Sequence, residues 1–560
     1  MRRALWSLPL ASLIPMFVAC SSSAADDSGA NDSTESGDGD GDDEPTGDGD
    51  GDGDGDGEPT GDGDGEIGDG QYLEVGLGYL AGDTTQTRTI AVFDVTEPGS
   101  PASPTTILEI PLGNIQRSGS PDGSWAAYVV GGGNIETLYL HSYAVDPTAP
   151  AVEVEGLPVD SLTLAFAPDG SGLAVLTGAS SDSGPRQLFH IPLSESDHGS
   201  PTLVHEGVEK LEGLSMSHDG RLLFFVDGEP GGPQQLFASE VGSGAPSAPV
   251  QLTELPVGEL NAWVPQFVAE DLAYFEVEAG FNQGGQLMRL ALADWPAFEL
   301  EPVFDFNEAP RQWSQFSQDG ARVLHTHGET SSPNDPATAE IIITDGGVIQ
   351  DPLIFFDVPT KTASISPSGR YVGLDRFDAV PEQFEVLIVD LDGPTPESPV
   401  PLGTTRANHE LSDRWIAWPG LDGRVMAASL ENGVGEPIAL TEAGASYLPL
   451  QMIGDQRLVY VAQDLSYWLV DLSGAVPGAP LRITHSVNPG VSVSWPWLVH
   501  SVLDDRFFYK LQNNDDSQFQ LWVNDPTLDD AREGLVEWPN NIGALLYAPA
   551  YGKLVSAAMY

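Results

Sequence analysis

Few residues in this chain have types and spacings that could do chemistry. His325-Thr326-His327 is the one close pair among ten histidines. On a strand, residues i and i+2 share a face, so His325 and His327 could begin a metal site. No third ligand is identifiable, and the plainer use is a strand face with two polar side chains beside a long loop. Asp-Gly pairs recur at Asp122-Gly123, Asp169-Gly170, Asp219-Gly220 and Asp319-Gly320, with Ser368-Gly369 in the same role. They resemble a series of carboxylates, yet tight-turn chemistry accounts for them, because Gly takes φ > 0 freely and Asp folds back onto nearby amides. Asp48-Gly49-Asp50-Gly51-Asp52-Gly53 matches the opening of a calcium loop, whose twelfth position must be Glu. That position is Pro59. Every Asp of the Gly-Asp runs is even-numbered, as are Glu44, Glu58 and Glu66, so no Glu closes such a loop in register. A Gly-x-Ser-x-Gly elbow opening a helix is absent, and so is a glycine-rich phosphate loop between a strand and a helix. No catalytic residue and no cofactor site are assigned.

Cys20 is the remaining reactive side chain and the only cysteine, which excludes an intrachain disulfide and a cysteine-built metal site. Its position supplies a use. Met1-Arg2-Arg3 is a short positive start, Ala4 to Ala19 is apolar, and small residues lead into the cysteine. This is the layout of a secretory signal, and an apolar run of about 16 residues is short for a spanning helix. Phe17-Val18-Ala19-Cys20 resembles the lipobox of bacterial lipoproteins, with Phe17 where that pattern usually has Leu. The resemblance implies cleavage after Ala19, a diacylglyceryl thioether on Cys20, and stable anchoring by several acyl chains. Ser21, rather than Asp, implies sorting to the outer membrane. The expected segments are a signal peptide at 1–19 and a lipidated Cys20 heading a tether at 20–70. An ordinary cleaved signal with an incidental cysteine is the alternative.

Residues 26–69 hold 19 Asp or Glu and no Lys or Arg. They have no apolar periodicity and little to bury, so the sequence predicts a disordered tether. A coil of about 50 residues spans roughly 40 Å between its ends, more when like charges stretch it. The whole chain has 84 acidic against 22 basic residues. Phosphate backbones would be repelled, which excludes nucleic acid as a partner. Docking on anionic headgroups is disfavoured for the same reason, leaving the lipid anchor as the only membrane attachment.

After Gly70, short apolar runs alternate with Gly, Pro, Asp and Ser, the pattern of many short strands. At 560 residues the chain exceeds what one core of roughly 250–300 residues can hold, which favours a repeat. The repeat is visible. Turns starting at Ser120, Ala167, Ser217, Ser317 and Ser366 precede WAAYVV, SGLAVL, RLLFFV, ARVLHT and RYVGL, at steps of 47, 50, 100 and 49 residues. Ala269-Glu270-Asp271 fills the double step, and weaker copies follow at Ser412, Gly454, Asp504 and Tyr551. A third run such as QLFHIPL, EVLIVDL or YWLVDL follows each hairpin, and a shorter fourth strand leads to the next turn. Four-stranded units that cannot bury both faces alone are satisfied by stacking around an axis. The Ser-Pro-Asp-Gly turns, with endings such as Leu387 to Leu391 and Trp468 to Leu472, resemble the TolB-like and WD-like propeller repeats over about 71–560. The resemblance implies an all-β propeller of four-stranded antiparallel blades, and a habit of binding proteins or peptides. Hairpin counting gives ten, and with two smaller rings or merged blades in one ring of seven to nine as alternatives the expected number is about 7–10 blades. Tyr72 to Val95 lacks inner partners, and Leu545 to Val555 lacks outer ones, so the C-terminal strands are expected to close the first blade.

Tryptophans such as Trp125, Trp415, Trp418, Trp468, Trp495, Trp497 and Trp522 lie in or beside strands, where packing is the expected use and sugar stacking the alternative. The loops between second and third strands vary most, at 178–186, 328–339 and 376–383. Variable polar loops on a rigid scaffold usually carry binding. The leading expectation is therefore a non-catalytic envelope lipoprotein that binds a protein, peptide or glycan at this loop face. The competing class is a propeller hydrolase or lyase on glycans or peptides. A histidine with carboxylates near the axis would favour the enzyme.

Overall fold

The computed structural model describes residues 72–555, less short connecting segments, of which the longest are 78–87, 95–103, 179–185, 328–337, 484–497 and 525–531. Beyond Ile483, side chains are described only at Phe507. Cys20 and the whole acidic segment lie outside the described residues. Among the described residues there are strands and turns and no helix.

The strands form ten antiparallel sheets that follow one another in chain order. Blade 2, for example, is Asn114–Gly119, Trp125–Gly131, Glu136–Ser142 and Val152–Glu153. First strands of neighbouring blades approach one another, which puts them innermost. Blade 1 is built differently. Its outer strands are Tyr72–Leu77, Arg88–Asp94 and Thr105–Ile110, and its inner strand is Ile542–Ala550 from the other end of the chain. Glu74 pairs with Tyr547 and Val75 with Leu546. Lys553–Val555 adds one strand beyond it. The complementary deficits of the two ends are thus resolved by pairing them. Among the described residues the ten sheets match the hairpin count of ten, at the upper end of the expected range, and the pairing of the two ends closes the first blade.

Why second strands read as unbroken apolar runs is now clear. Alternate side chains of a strand point to opposite faces, and here both faces are covered. In blade 2, Trp125, Ala127 and Val129 pack against blade 3, whereas Ala126 and Tyr128 pack against blade 1. In blade 4, Leu222, Phe224 and Val226 face blade 5, and Leu223 and Phe225 face blade 3. Each of the eight consecutive gaps from blades 1–2 to blades 8–9 holds its own apolar cluster. Trp125, Trp415 and Trp418 are buried in these gaps. Trp125 Nε1 donates to Ser194 O, and Trp415 Nε1 to Leu472 O.

The hairpin turns repeat one design. Gly123, Gly170, Gly220, Gly320 and Gly369 have φ between 64° and 77°. Each glycine N–H donates to the carbonyl three residues earlier, as Gly220 does to Ser217 at 2.9 Å. Asp122, Asp169, Asp219 and Asp319 each accept from the amide two residues on, at 3.0–3.2 Å. At the fifth copy Ser368 takes the aspartate's place, accepting from the Arg370 amide at 3.2 Å.

Candidate functional site

The turn aspartates are occupied with their own turns, which leaves their carboxylates a structural role. Asp219 is held below the usual carboxylate range by the Ser217 hydroxyl and the Arg221 amide and guanidinium, which outweigh the opposing effect of burial. His325 lies fully buried on Arg322–His327 of blade 6 and points into the gap with blade 5. Its Nδ1 is 3.0 Å from Ser314 Oγ, which donates to Glu276 Oε1 of blade 5 at 3.0 Å. The His327 side chain lies outside the described residues. Among the described residues no three His, Cys, Asp or Glu side chains are grouped as metal ligands. The candidate loops at 178–186, 328–339 and 376–383 lie mostly outside the described residues.

One constellation that sequence reasoning missed lies between blades 7 and 8. Blade 7 comprises Thr360–Ile365, Tyr371–Phe377, Phe384–Asp390 and Val400–Thr405, and blade 8 begins at Glu410–Leu411. His409 sits in the connection between them. Its Nε2 lies 2.6 Å from Ser364 Oγ on the innermost strand, and its Nδ1 2.9 Å from Asp375 Oδ1 on the second strand. Asp375 and the imidazole are buried, while Ser364 is half-buried. Thr362 Oγ1 donates to Asp375 Oδ2. Room for the ring comes from Gly373, where a Cβ would fall 2.3 Å from His409 Nε2. Across the gap, blade 6 contributes Gln315, whose amide brackets the serine's neighbours: Nε2 donates to Ala363 O at 3.0 Å and Oε1 accepts from Ile365 N at 3.2 Å.

Burial alone would push His409 down. The Asp375 carboxylate, followed by half-buried Glu410, outweighs that and holds the imidazole above its ordinary range. A serine, a histidine and an aspartate in this order form the nucleophile, base and orienter arrangement of acyl-transfer sites. They also tie the entry to blade 8 onto blade 7. A signal for them existed in the sequence. Position six after the turn glycine is Val129, Leu176 and Val226 in blades 2 to 4, but Asp375 in blade 7. A carboxylate in the middle of a strand buried on both faces needs a partner.

Neither a protein family model nor a curated protein matches this chain. Solved structures do. One is described as the crystal structure of the eukaryotic initiation factor, at 14% identity, 74% of this chain, 96% of that chain and a TM-score of 0.44. TolB from Acinetobacter baumannii is similar at 14% identity, over 57% of this chain and 78% of its own, with a TM-score of 0.27. The periplasmic gluconolactonase of Pseudomonas aeruginosa is similar at 16% identity, over 60% and 97%, with a TM-score of 0.32. These likenesses name no ligand and no reaction for this chain.

Two other polar ties, one buried and one half-buried, hold blades together. Arg117 of blade 2 grips Glu74 of blade 1, Nε to Oε1 at 3.0 Å and Nη2 to Oε2 at 2.9 Å, with both side chains buried. Tyr143 also donates to Glu74 Oε2. His205 Nε2 of blade 3 lies 2.7 Å from Asp227 Oδ2 of blade 4. On the rim, Val152, Leu203, Val400, Ile438 and Leu481 are exposed, each on the outermost strand of a different blade. One exposed apolar residue per outermost strand is ordinary for a soluble surface.

Proposed function

We propose that this protein is an exported bacterial lipoprotein that displays its propeller from the envelope, most simply at the outer membrane, as a binding platform for a protein, peptide or glycan. The observation that carries the reading is the rigid ring itself. Eight blade gaps are filled by apolar clusters, so the sheets are committed to holding one another. The loops between second and third strands and between blades would be what the ring presents to a partner. Cys20, cleaved and acylated, would anchor it, and the acidic segment would hold it away from the surface. The test is mass spectrometry of the mature N-terminus with fractionation of membranes. A diacylglyceryl Cys20 and membrane recovery are expected, with Cys20→Ser released or misprocessed. An unmodified N-terminus downstream of Cys20 overturns the anchoring. The binding reading is tested by crosslinking in the native envelope, comparing the protein with a variant whose 328–337 and 378–382 loops are replaced by Gly-Ser. A specific partner should be captured by the first and lost by the second.

A further inference from the structure

We propose that Ser364 is an acylatable nucleophile, with His409 as its base and Asp375 as the orienter, and that this site hydrolyses carboxylic esters. The inference rests on the convergence of three residues, and it is independent of the envelope-binding reading.

The three groups come from separate parts of the chain. Ser364 lies on the inner strand of blade 7, Asp375 on its second strand, and His409 in the connection to blade 8. Ser364 Oγ and Asp375 Oδ1 meet opposite nitrogens of the same ring, at 2.6 and 2.9 Å. The first distance is within reach for proton transfer, whereas Nδ1 and Oδ1 lie close without an aligned hydrogen bond, so the carboxylate acts on the imidazole through its charge. The carboxylate is itself held, by the Thr362 hydroxyl and by the His409 amide at 3.4 Å. Burial is graded in the direction an acyl-transfer site needs: the orienter and base are enclosed, and the nucleophile is half-open on the inner strand. The neighbours of Ser364 are pinned by Gln315, so its backbone is set in advance.

The reaction balances without a cofactor. Ser364 Oγ bonds to the ester carbonyl carbon while its proton passes to His409 Nε2. The bond from carbon to the alkoxy oxygen then breaks, and the alcohol leaves with that proton. Water attacks the acyl-serine, giving a proton to His409, and the acid departs as Ser364 recovers it. Ester and water become acid and alcohol.

The same geometry sets the substrate class. The Ile365 amide beside the nucleophile already donates to Gln315 Oε1 at 3.2 Å, and Ser364 pairs with Gly373 in the sheet. An oxyanion donor is worth about 10²- to 10³-fold in rate, so a site whose adjacent amides are engaged favours acyl groups with good leaving groups. Esters fit this requirement better than amides.

The experiment uses the full chain, a fluorophosphonate probe and p-nitrophenyl acetate. The folded protein should carry one phosphonyl adduct, mapped by mass spectrometry to Ser364. It should hydrolyse the ester at least tenfold faster than Ser364→Ala. His409 faces the Asp375 carboxylate and the Ser364 hydroxyl, with Glu410 as its chain neighbour. The rate should therefore rise with pH along a limb above 6.5, as the imidazole loses its proton. Asp375→Asn should shift that limb down and slow the reaction. Thermal unfolding of each variant shows whether it is folded. Wild type without an adduct at Ser364, or with no more hydrolysis than Ser364→Ala, overturns the proposal. A lowered Ser364→Ala midpoint with neither signal in wild type also overturns it, because the triad would then only tie two blades.

Discussion

Buried histidines give single residues of this ring a measurable signature. Burial lowers His141 to about 4, against weaker upward pulls from Glu74 and the Pro147 backbone. His190 is likewise lowered to about 4, by burial alone. In the unfolded chain both should titrate near 6.5. Between pH 6.5 and 4 the unfolded state therefore binds more protons, and stability falls as pH falls through that window. Each group contributes a slope of up to about 1.4 kcal/mol per pH unit. His409 works in the opposite direction. Its raised value stabilises the fold below pH 6.5 and loses that contribution as pH rises through the folded value. We expect the melting midpoint to fall on acidification from 6.5 to 4 and His190→Leu to flatten that limb. An unchanged slope in His190→Leu would mean the imidazole is not neutral in the fold.

At the scale of elements, blades are joined by apolar clusters and by a few buried polar ties. The Glu74 and Arg117 pair links the strand that receives the C-terminus to the inner strand of blade 2. Removing one partner of a buried pair leaves the other charge uncompensated, at a cost of about 3–5 kcal/mol. Glu74→Gln is therefore expected to destabilise the fold by that amount in denaturant unfolding. Replacing both, as Glu74→Leu with Arg117→Met, should recover part of the loss, because an apolar pair carries no desolvation cost. A double variant as unstable as the sum of its singles would show that the pair's charge is not the issue.

For the whole molecule, closure is the decisive property. An open array would leave the strand Tyr72–Leu77 with an unpaired inner edge, a template for association with other chains. Pairing it with Ile542–Ala550 removes that edge. Deleting residues 543–560 should lower the melting midpoint well beyond what a frayed terminus costs and promote aggregation. Calorimetry and light scattering of the truncated and full chains would check this. A truncated chain that melts with the full one would mean the ring does not depend on its last strand.

Strands, turns and the repeat were legible in the sequence because their causes are local. A glycine near φ 70° and a preceding aspartate specify the hairpin turn from four adjacent residues. Burial on both faces writes itself as an unbroken apolar run, as in Gly172–Thr177 and Leu222–Asp227. Even the complementary deficits of the two ends could be read. What the sequence left open was how many blades close the ring. Blade number is set by how side chains of consecutive sheets fill their shared gaps, which no single repeat encodes. The meeting of Ser364, Asp375 and His409 was hidden for the same reason. His409 stands 45 residues from Ser364 and 34 from Asp375, with a blade boundary between. Only the stacking of blade 8 on blade 7, with Gly373 leaving room for the ring, brings these side chains within hydrogen-bonding distance.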